Sequence, residues 1–189
     1  MNRHHLLAVA ASVVAALGAG AVASSAQSSP EPREGAASVD TLAAECARPL
    51  PTPTAGGPAS FVKFDGILGE SKAPGHVGES EVDQFRFGAG TPGGPRPLVL
   101  GKPYDKASPQ VLARLVSGGV IPKVTLSQRK AAGVFLKYTL TNVTAIDVEH
   151  TGRAGANADR LCLAFEGGDV EYRTVNTDGT LGAPVKTEF

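Results

Sequence analysis

Short runs of alternating apolar and polar residues, separated by glycine and proline, dominate the chain from residue 59 to residue 189. A period of two residues is typical of β-strands that bury one face. The pattern predicts strands at residues 60–64, 82–87, 98–100, 123–128, 134–148, 160–166, 170–175 and 181–189. Glycine and proline clusters predict loops at residues 69–78 and 88–97. Many short strands joined by turns indicate a small antiparallel barrel or sandwich.

One segment has the features of a helix. Ser108 is suited to cap its N-terminus, and Pro109 suits the first helical position. Gly118 and Gly119 supply a C-terminal stop. Between them, apolar residues recur at helical spacing, namely Val111, Leu112, Leu115 and Val116. We therefore predict one short helix that packs a single face onto the strands.

The N-terminus has the pattern of a secretory signal peptide. Arg3 precedes an uncharged run over residues 6–23, and small residues at 21–23 or 24–26 offer a cleavage site. The alternative is a retained transmembrane anchor, since the run is long enough for one. It contains glycine and many alanines and lacks flanking stop-transfer charges, so we predict a cleaved signal at residues 1–26. The mature protein is then exported, secreted or in the cell envelope, and has no membrane segment.

Residues 27–58 are rich in proline, alanine, serine and glycine and lack apolar periodicity. Such a segment buries too little surface to offset the entropy of ordering it. One helical turn is possible at residues 41–44, before Pro49, Pro51 and Pro53 prevent continuation. We predict a flexible linker at 27–58 and a single domain at 59–189, which is long enough for its own core.

The charges are balanced. The chain has 18 Lys and Arg and 18 Asp and Glu, for a net charge of zero. They are interspersed along the chain and form no basic run. This composition argues against a nucleic acid or an acidic membrane surface as the main partner.

The two cysteines allow two interpretations. In an exported chain, Cys46 and Cys162 are candidates for a disulfide that would tie the linker to the domain. The alternative is that Cys162 is a buried free thiol. Strand alternation places Cys162 on the face opposite Leu161 and Leu163. The sequence leaves both alternatives open.

The sequence has few of the residue patterns that are typical of catalytic sites. His76 and His150 have no zinc-type spacing. Ser71 and Ser80 do not lie in the Gly-x-Ser-x-Gly turn that exposes a nucleophile. We therefore predict no enzyme activity and no catalytic, cofactor-binding or metal-binding residues.

One carboxylate cluster has two interpretations. Glu79, Glu81 and Asp83 alternate along the chain, so they share one face of a strand. They could form a cation or acid–base site, or simply a solvated polar face. The second interpretation is favoured, because exposed strand faces commonly carry such charges.

Several segments in one order resemble the Hcp family, the tube-forming proteins of bacterial type VI secretion. The resemblance begins with Phe-Val-Lys-Phe-Asp-Gly-Ile-Leu-Gly-Glu-Ser at residues 61–71. The later segments are Gly78-Glu79 with Val82 and Phe85, Lys102 with residues 105–109, residues 129–133 and 138–143, residues 159–161 with Leu163, Phe165, Val170 and Tyr172, and residues 184–186.

This resemblance implies a small antiparallel β-barrel with one short flanking helix. It also implies homo-oligomeric, hexameric rings that stack into a tube, carry small protein effectors in their lumen and have no catalysis. The loop at 69–78 resembles the extended loop of the family. The resemblance implies that subunits meet there and at strand edges.

Two departures complicate the family role. A signal peptide and a linker precede the barrel, and residues 88–101 match poorly. We therefore expect an exported, non-catalytic Hcp-like relative that self-assembles or carries partners. The alternatives are a monomeric exported binding module built on the same barrel, or a small hydrolase with an unrecognised site.

Overall fold

The computed structural model describes residues 34–53, 55–57, 59–88 and 97–189. The predicted signal peptide and most of the predicted loop at 88–97 lie outside the described residues. In chain order the elements are α1 (Glu34–Ala47), β1 (Ala59–Phe64), β2 (Ser80–Val82), β3 (Gln84–Phe87), β4 (Pro97–Pro103), α2 (Ser108–Ser117), β5 (Val120–Lys130), β6 (Gly133–Arg153), β7 (Ala156–Ala164), β8 (Gly167–Val175) and β9 (Leu181–Glu188).

The nine described strands form one antiparallel sheet, which confirms the mainly β fold class. Its path runs β2-β1-β5-β6-β7-β4-β3, while β8 pairs with β6, and β9 with β8. The path is not closed by hydrogen bonds between its two end strands. However, β2 and β3 are separated only by Asp83, whose N–H donates to Gly101 O at 2.9 Å. The sheet therefore curves until its end strands are consecutive in the chain, as in a small barrel.

Strand β6 is the centre of the sheet because it takes part in three pairings. Its first part pairs with β5 on one side and β8 on the other, and its second part pairs with β7. The predicted strand at 134–148 is thus longer than expected, over Gly133–Arg153. The β8–β9 hairpin is joined to the sheet through β6.

Alternate residues of the strands fill one core, as the period of two predicts. Val111 of α2 is buried in the same core, but Val116 is 81% exposed, contrary to the predicted apolar face. The completely buried core side chains include Val62, Leu98, Leu100, Val124, Leu126, Leu140, Leu161 and Leu163.

The predicted helix is present, with its start one residue away from the expectation. Ala107 is the N-cap, and Ser108 is the first helical residue. The Ser108 hydroxyl instead accepts a hydrogen bond from Lys102 Nζ at 2.9 Å, so it does not cap the helix. Gly118 ends the helix in the left-handed conformation at φ 64°, which confirms the predicted stop.

A second helix, α1, lies in the segment predicted as a flexible linker. The sequence predicts at most one turn at residues 41–44, whereas the structure has 14 helical residues. The helix ends at Ala47, just before Pro49, as the prolines predict. Its ordering comes from contacts made by residues distant in sequence, described below. Among the described residues, no helix is long and apolar enough to cross a membrane.

Candidate assembly surfaces and the contacts that position them

The loop at 69–78 is held in one conformation by its own backbone. The Gly69 N–H donates to Gly78 O at 2.7 Å, and the Ser71 N–H donates to Glu79 O at 2.8 Å. These bonds satisfy backbone groups that lie beyond the end of β1 and have no partner strand there. The predicted loop is therefore present and has a defined shape.

One buried side chain fixes this loop on the sheet. His76 Nδ1 lies 2.8 Å from Glu79 Oε2, and the imidazole stacks on the Phe61 ring with centroids 4.0 Å apart. Leu68 and Val77 are left 65% and 76% exposed. We call these two side chains the loop patch. Large apolar side chains presented together by an ordered loop are typical of a protein-contact surface.

A second apolar pair lies on the β8–β9 hairpin. Tyr172 of β8 and Val185 of β9 are register partners, so their side chains share one face of the sheet. They are 47% and 67% exposed. We call this pair the hairpin patch.

The opposite face of the hairpin carries a charge cluster centred on Glu171. Its carboxylate accepts a hydrogen bond from Arg173 Nε at 3.0 Å and pairs with Lys186 Nζ at 3.1 Å and Lys137 Nζ at 3.5 Å. The bond from Arg173, followed by that from Lys186, lowers the pKa of Glu171 to about 2, although burial opposes the shift. The cluster ties β6, β8 and β9 together.

The loop and the hairpin patch lie on opposite sides of the β8–β9 hairpin. Glu171 and His76 line the same cleft, of about 380 Å³, which places the loop on the Glu171 side of the hairpin. Tyr172 follows Glu171 in the strand, so its side chain points to the other side. The hairpin patch therefore faces away from the loop, and one subunit has two separate apolar surfaces.

We predict that Glu171→Gln weakens folding by about 1–2 kcal/mol at pH 7, because three cations lose their carboxylate and partly exposed partners are screened by water. Folding lowers the pKa of Glu171 from 4.5 to about 2, so its charge stabilises the native state above pH 4.5. That advantage over the variant should disappear as the pH falls towards 2. Urea unfolding at pH 7, 4 and 2.5 measures it. Glu188→Gln, on an exposed residue, is the matched control, and equal stability of Glu171→Gln and wild type at pH 7 would contradict the prediction.

A buried ionic network joins the start of α2 to the sheet. Lys102 is completely buried, and its Nζ donates to Asp105 Oδ1 at 2.7 Å and lies 3.1 Å from Asp159 Oδ2. Asp159 Oδ1 is 2.6 Å from His150 Nδ1. Segments that are far apart in sequence, and that carry the family resemblance, thus meet around one ammonium group. Buried charges persist only when paired in this way.

Asp105 is held in its charged form by this network. Burial alone would raise its pKa, but the hydrogen bond and the positive charge of Lys102 bring it below the ordinary value. Its Oδ1 also accepts the N–H of Ala107 at 3.0 Å. Asp105 therefore holds the turn that leads into α2, whose N-terminus has no side-chain cap.

The three carboxylates alternate with the buried Ser80 and Val82, as expected for residues on one strand face. Glu79 is engaged by His76, while Glu81 and Asp83 are exposed to solvent. Within the described ranges, no group of three or more His, Cys, Asp or Glu side chains could hold a metal ion.

The cysteines form a disulfide, so the free-thiol interpretation is wrong. Cys46 at the end of α1 is bonded to Cys162 of β7, across a sequence separation of 116. Leu161 and Leu163 lie in the main core, and Cys162 lies in a second apolar cluster with Val99. This confirms the predicted facing of β7. We call residues 34–53 the N-terminal arm, because the disulfide fastens them to the outer face of the sheet.

Two arginines complete the attachment of the arm. Arg86 of β3 and Arg160 of β7 both point their guanidinium groups at the end of α1, where helix carbonyls lack partners. Arg86 Nη1 donates to Arg48 O at 3.0 Å, and Arg160 Nη2 donates to the same oxygen at 2.6 Å. The accepting carbonyls together are those of Glu45, Cys46, Arg48 and Pro49. No local sequence signal identifies these donors, because donors and acceptors are far apart in the chain.

Comparison with known proteins identifies the family. A family model described as type VI secretion system effector, Hcp, matches residues 61–176. The structure resembles Hcp2 from Salmonella typhimurium, with 30% identity, a TM-score of 0.57, and coverage of 69% of this chain and 95% of that chain. It also resembles Hcp1 from Salmonella typhimurium, with 28% identity, a TM-score of 0.59, and coverage of 70% and 94%.

A third similarity concerns the fold alone. A type VI secretion system effector from Yersinia pestis shares 23% identity, with a TM-score of 0.62 and coverage of 69% of this chain and 98% of that chain. No curated protein sequence matches the chain. The N-terminal arm precedes the region matched by the family model. Since that match spans more than half of the chain, the protein belongs to the Hcp family of type VI secretion system effectors.

Proposed function

We propose that this protein is a non-catalytic tube-type Hcp protein that self-assembles into hexameric rings and carries small protein effectors. The observation that supports assembly is the presence of two separate exposed apolar surfaces, the loop patch and the hairpin patch. A ring needs a heterologous interface, in which one surface of a subunit meets a different surface of the next. Two distinct patches suit that geometry.

The subunits meet through side chains rather than by adding strands. Strand β9 is at one end of the described sheet, but Pro184 within it has no N–H to donate. Lys186 and Glu188 also place charges along this edge, which disfavours pairing with another strand. The exposed apolar patches are therefore the better contact surfaces.

The proposed lack of catalysis agrees with the state of the two histidines. His76 is stacked on Phe61 and bonded to Glu79, and His150 is bonded to the buried Asp159. Both are used to hold structure. We propose cargo in the ring lumen as the partner, with no role for nucleic acid.

We further propose export by a cleaved signal peptide at residues 1–26. The Cys46–Cys162 disulfide supports it, because such bonds form and persist in oxidising compartments outside the cytoplasm. In the mature protein the arm then precedes the Hcp domain. N-terminal sequencing of the exported protein would locate the cleavage site, and a mature N-terminus at Met1 would contradict this part of the proposal.

Light scattering on the mature protein at micromolar concentration tests assembly. We predict six times the subunit mass and ring-shaped particles in negative stain. Val77→Asp in the loop patch and Tyr172→Asp in the hairpin patch should each dissociate the ring, because a charge at an interface centre costs about 2 kcal/mol or more. Val116→Asp is the matched control, since Val116 is 81% exposed and lies outside both patches.

A wild-type protein that stays monomeric at this concentration would overturn the ring proposal. The remaining hypothesis would then be a monomeric exported binding module built on the same fold. Rings that survive both patch variants would show instead that assembly uses another surface.

A further inference from the structure

The N-terminal arm covers the outer face of the sheet without entering the main core. Val99 of β4 and Cys162 of β7 point away from that core, and Leu42 and Leu50 of the arm pack against them. Gly101 makes room for the arm, because a Cβ there would lie 3.3 Å from Leu50 Cδ1. The arm's apolar contacts therefore form a small separate cluster.

Charges of both signs meet where the arm contacts the sheet. The backbone carbonyl of Arg48 accepts bonds from Arg86 and Arg160, while its guanidinium pairs with Glu45. Glu45 also approaches Arg86 at 3.9 Å, and Glu149 of β6 approaches Arg160 at 4.0 Å. Burial and then the positive charge of Arg48 lower the pKa of Arg86; Glu45 opposes this shift, and Arg160 adds to it less strongly. The positive charge of Arg48 therefore opposes docking of the arm, whereas Glu45 and the arm's carbonyls favour it.

The remaining non-covalent attachment is limited. A helix of 14 residues is marginal on its own in water. The arm adds two partly buried leucines and a set of carbonyl groups, which water would also satisfy if the arm left. The sheet keeps its main core in either case, because Leu98, Leu100 and their neighbours pack on the other face.

We propose that the Cys46–Cys162 disulfide is a redox lock that holds the arm on the β3–β4–β7 face, and that its reduction releases the arm while the sheet stays folded. The lock is closed in an oxidising compartment and opens in one that contains reduced dithiols. Its release uncovers Val99 together with the two guanidinium groups of Arg86 and Arg160. This inference does not depend on ring assembly.

The chemistry is thiol–disulfide exchange with a dithiol reductant. One thiolate of the reductant attacks a protein sulfur, the protein S–S bond breaks, and the other cysteine leaves as a thiolate. The second thiol of the reductant then displaces the first cysteine and forms the reductant's own disulfide. Two electrons pass to the protein, and each cysteine takes up one proton. Cys46 and Cys162 are only 5% and 2% exposed, so attack requires transient opening of the arm.

Hydrogen–deuterium exchange of the full chain, read by mass spectrometry before and after dithiothreitol treatment, tests the lock. Thiol titration confirms that both cysteines are reduced. We expect amides of the arm to exchange about tenfold faster or more after reduction, with β5 and β6 unchanged. Unchanged exchange of the arm in fully reduced protein would overturn the proposal, as would loss of protection throughout the sheet.

Two variants separate the lock from general destabilisation. The double variant Cys46→Ser, Cys162→Ser should reproduce the reduced pattern and respond no further to dithiothreitol. Arg48→Glu replaces a like charge by an opposite one beside Arg86 and Arg160, so the reduced arm should exchange several-fold more slowly than in reduced wild type. Equal exchange in these two reduced chains would overturn the role given to charge in releasing the arm.

Discussion

Replacing Lys102 with methionine is expected to destabilise the fold by about 3–5 kcal/mol, because it leaves buried carboxylates without their counter-ion. The ammonium group pairs with Asp105 at 2.7 Å and Asp159 at 3.1 Å, and the side chains of Lys102 and Asp159 are both fully buried. Methionine fills a similar volume, so the loss reports charge rather than packing. Urea unfolding at pH 7, followed by far-ultraviolet circular dichroism, measures it.

The adjacent segment offers a matched control. Lys106→Met makes the same chemical change on an exposed lysine and should alter stability by no more than about 0.5 kcal/mol. The double variant Lys102→Met, Asp159→Asn should recover part of the loss, since the strongest uncompensated charge is then removed. A loss below about 1 kcal/mol for Lys102→Met would contradict the network's proposed importance in fixing α2 to the sheet.

The strands were predictable from sequence because their signal is local. Each alternating run carries its own period, so all eight predicted runs contain strand, and in seven of them only the ends differ. The run predicted at 82–87 is divided by Asp83, since β2 pairs with β1 while β3 pairs with β4. Partner strands, rather than the run itself, determine such a break.

The arm and the ionic network depend on residues far apart in sequence. Helix α1 lacks apolar periodicity, and its order comes from Cys162, Arg86 and Arg160 on strands that follow it much later. In the same way, Ser108 has the local signature of a helix cap, but its hydroxyl accepts a hydrogen bond from Lys102. A prediction from local propensity is wrong where a stronger tertiary contact uses the same group.

The loop patch was anticipated only through the family resemblance. The glycines at 69–78 predict a loop, but no pattern in it predicts that Leu68 and Val77 stay exposed. Their exposure follows from His76, which is buried against Phe61 and leaves its neighbours pointing outwards. A histidine between glycines gives no sequence signal for that role.

Gly69→Ala is expected to have the second large effect, because the loop backbone passes too close to β2 for any side chain. A Cβ at residue 69 would lie 2.3 Å from Glu79 C and O and 2.5 Å from Ser80 N. These are backbone atoms, so relief requires displacing the loop from the strand and weakening the bond from Gly69 N–H to Gly78 O. We expect a loss of about 1–3 kcal/mol or more, as for other overpacked sites.

The same substitution also tests the link between loop geometry and assembly. If the loop patch forms one side of the ring interface, Gly69→Ala should shift the protein from sixfold mass towards monomer under conditions in which it remains folded, because Leu68 and Val77 move with the loop. Gly182→Ala is the matched control, since its nearest neighbour is Thr174 Cβ at an ordinary 3.5 Å. Light scattering combined with urea unfolding separates the two effects. A folded, destabilised Gly69→Ala protein that still forms rings would place the interface away from this loop.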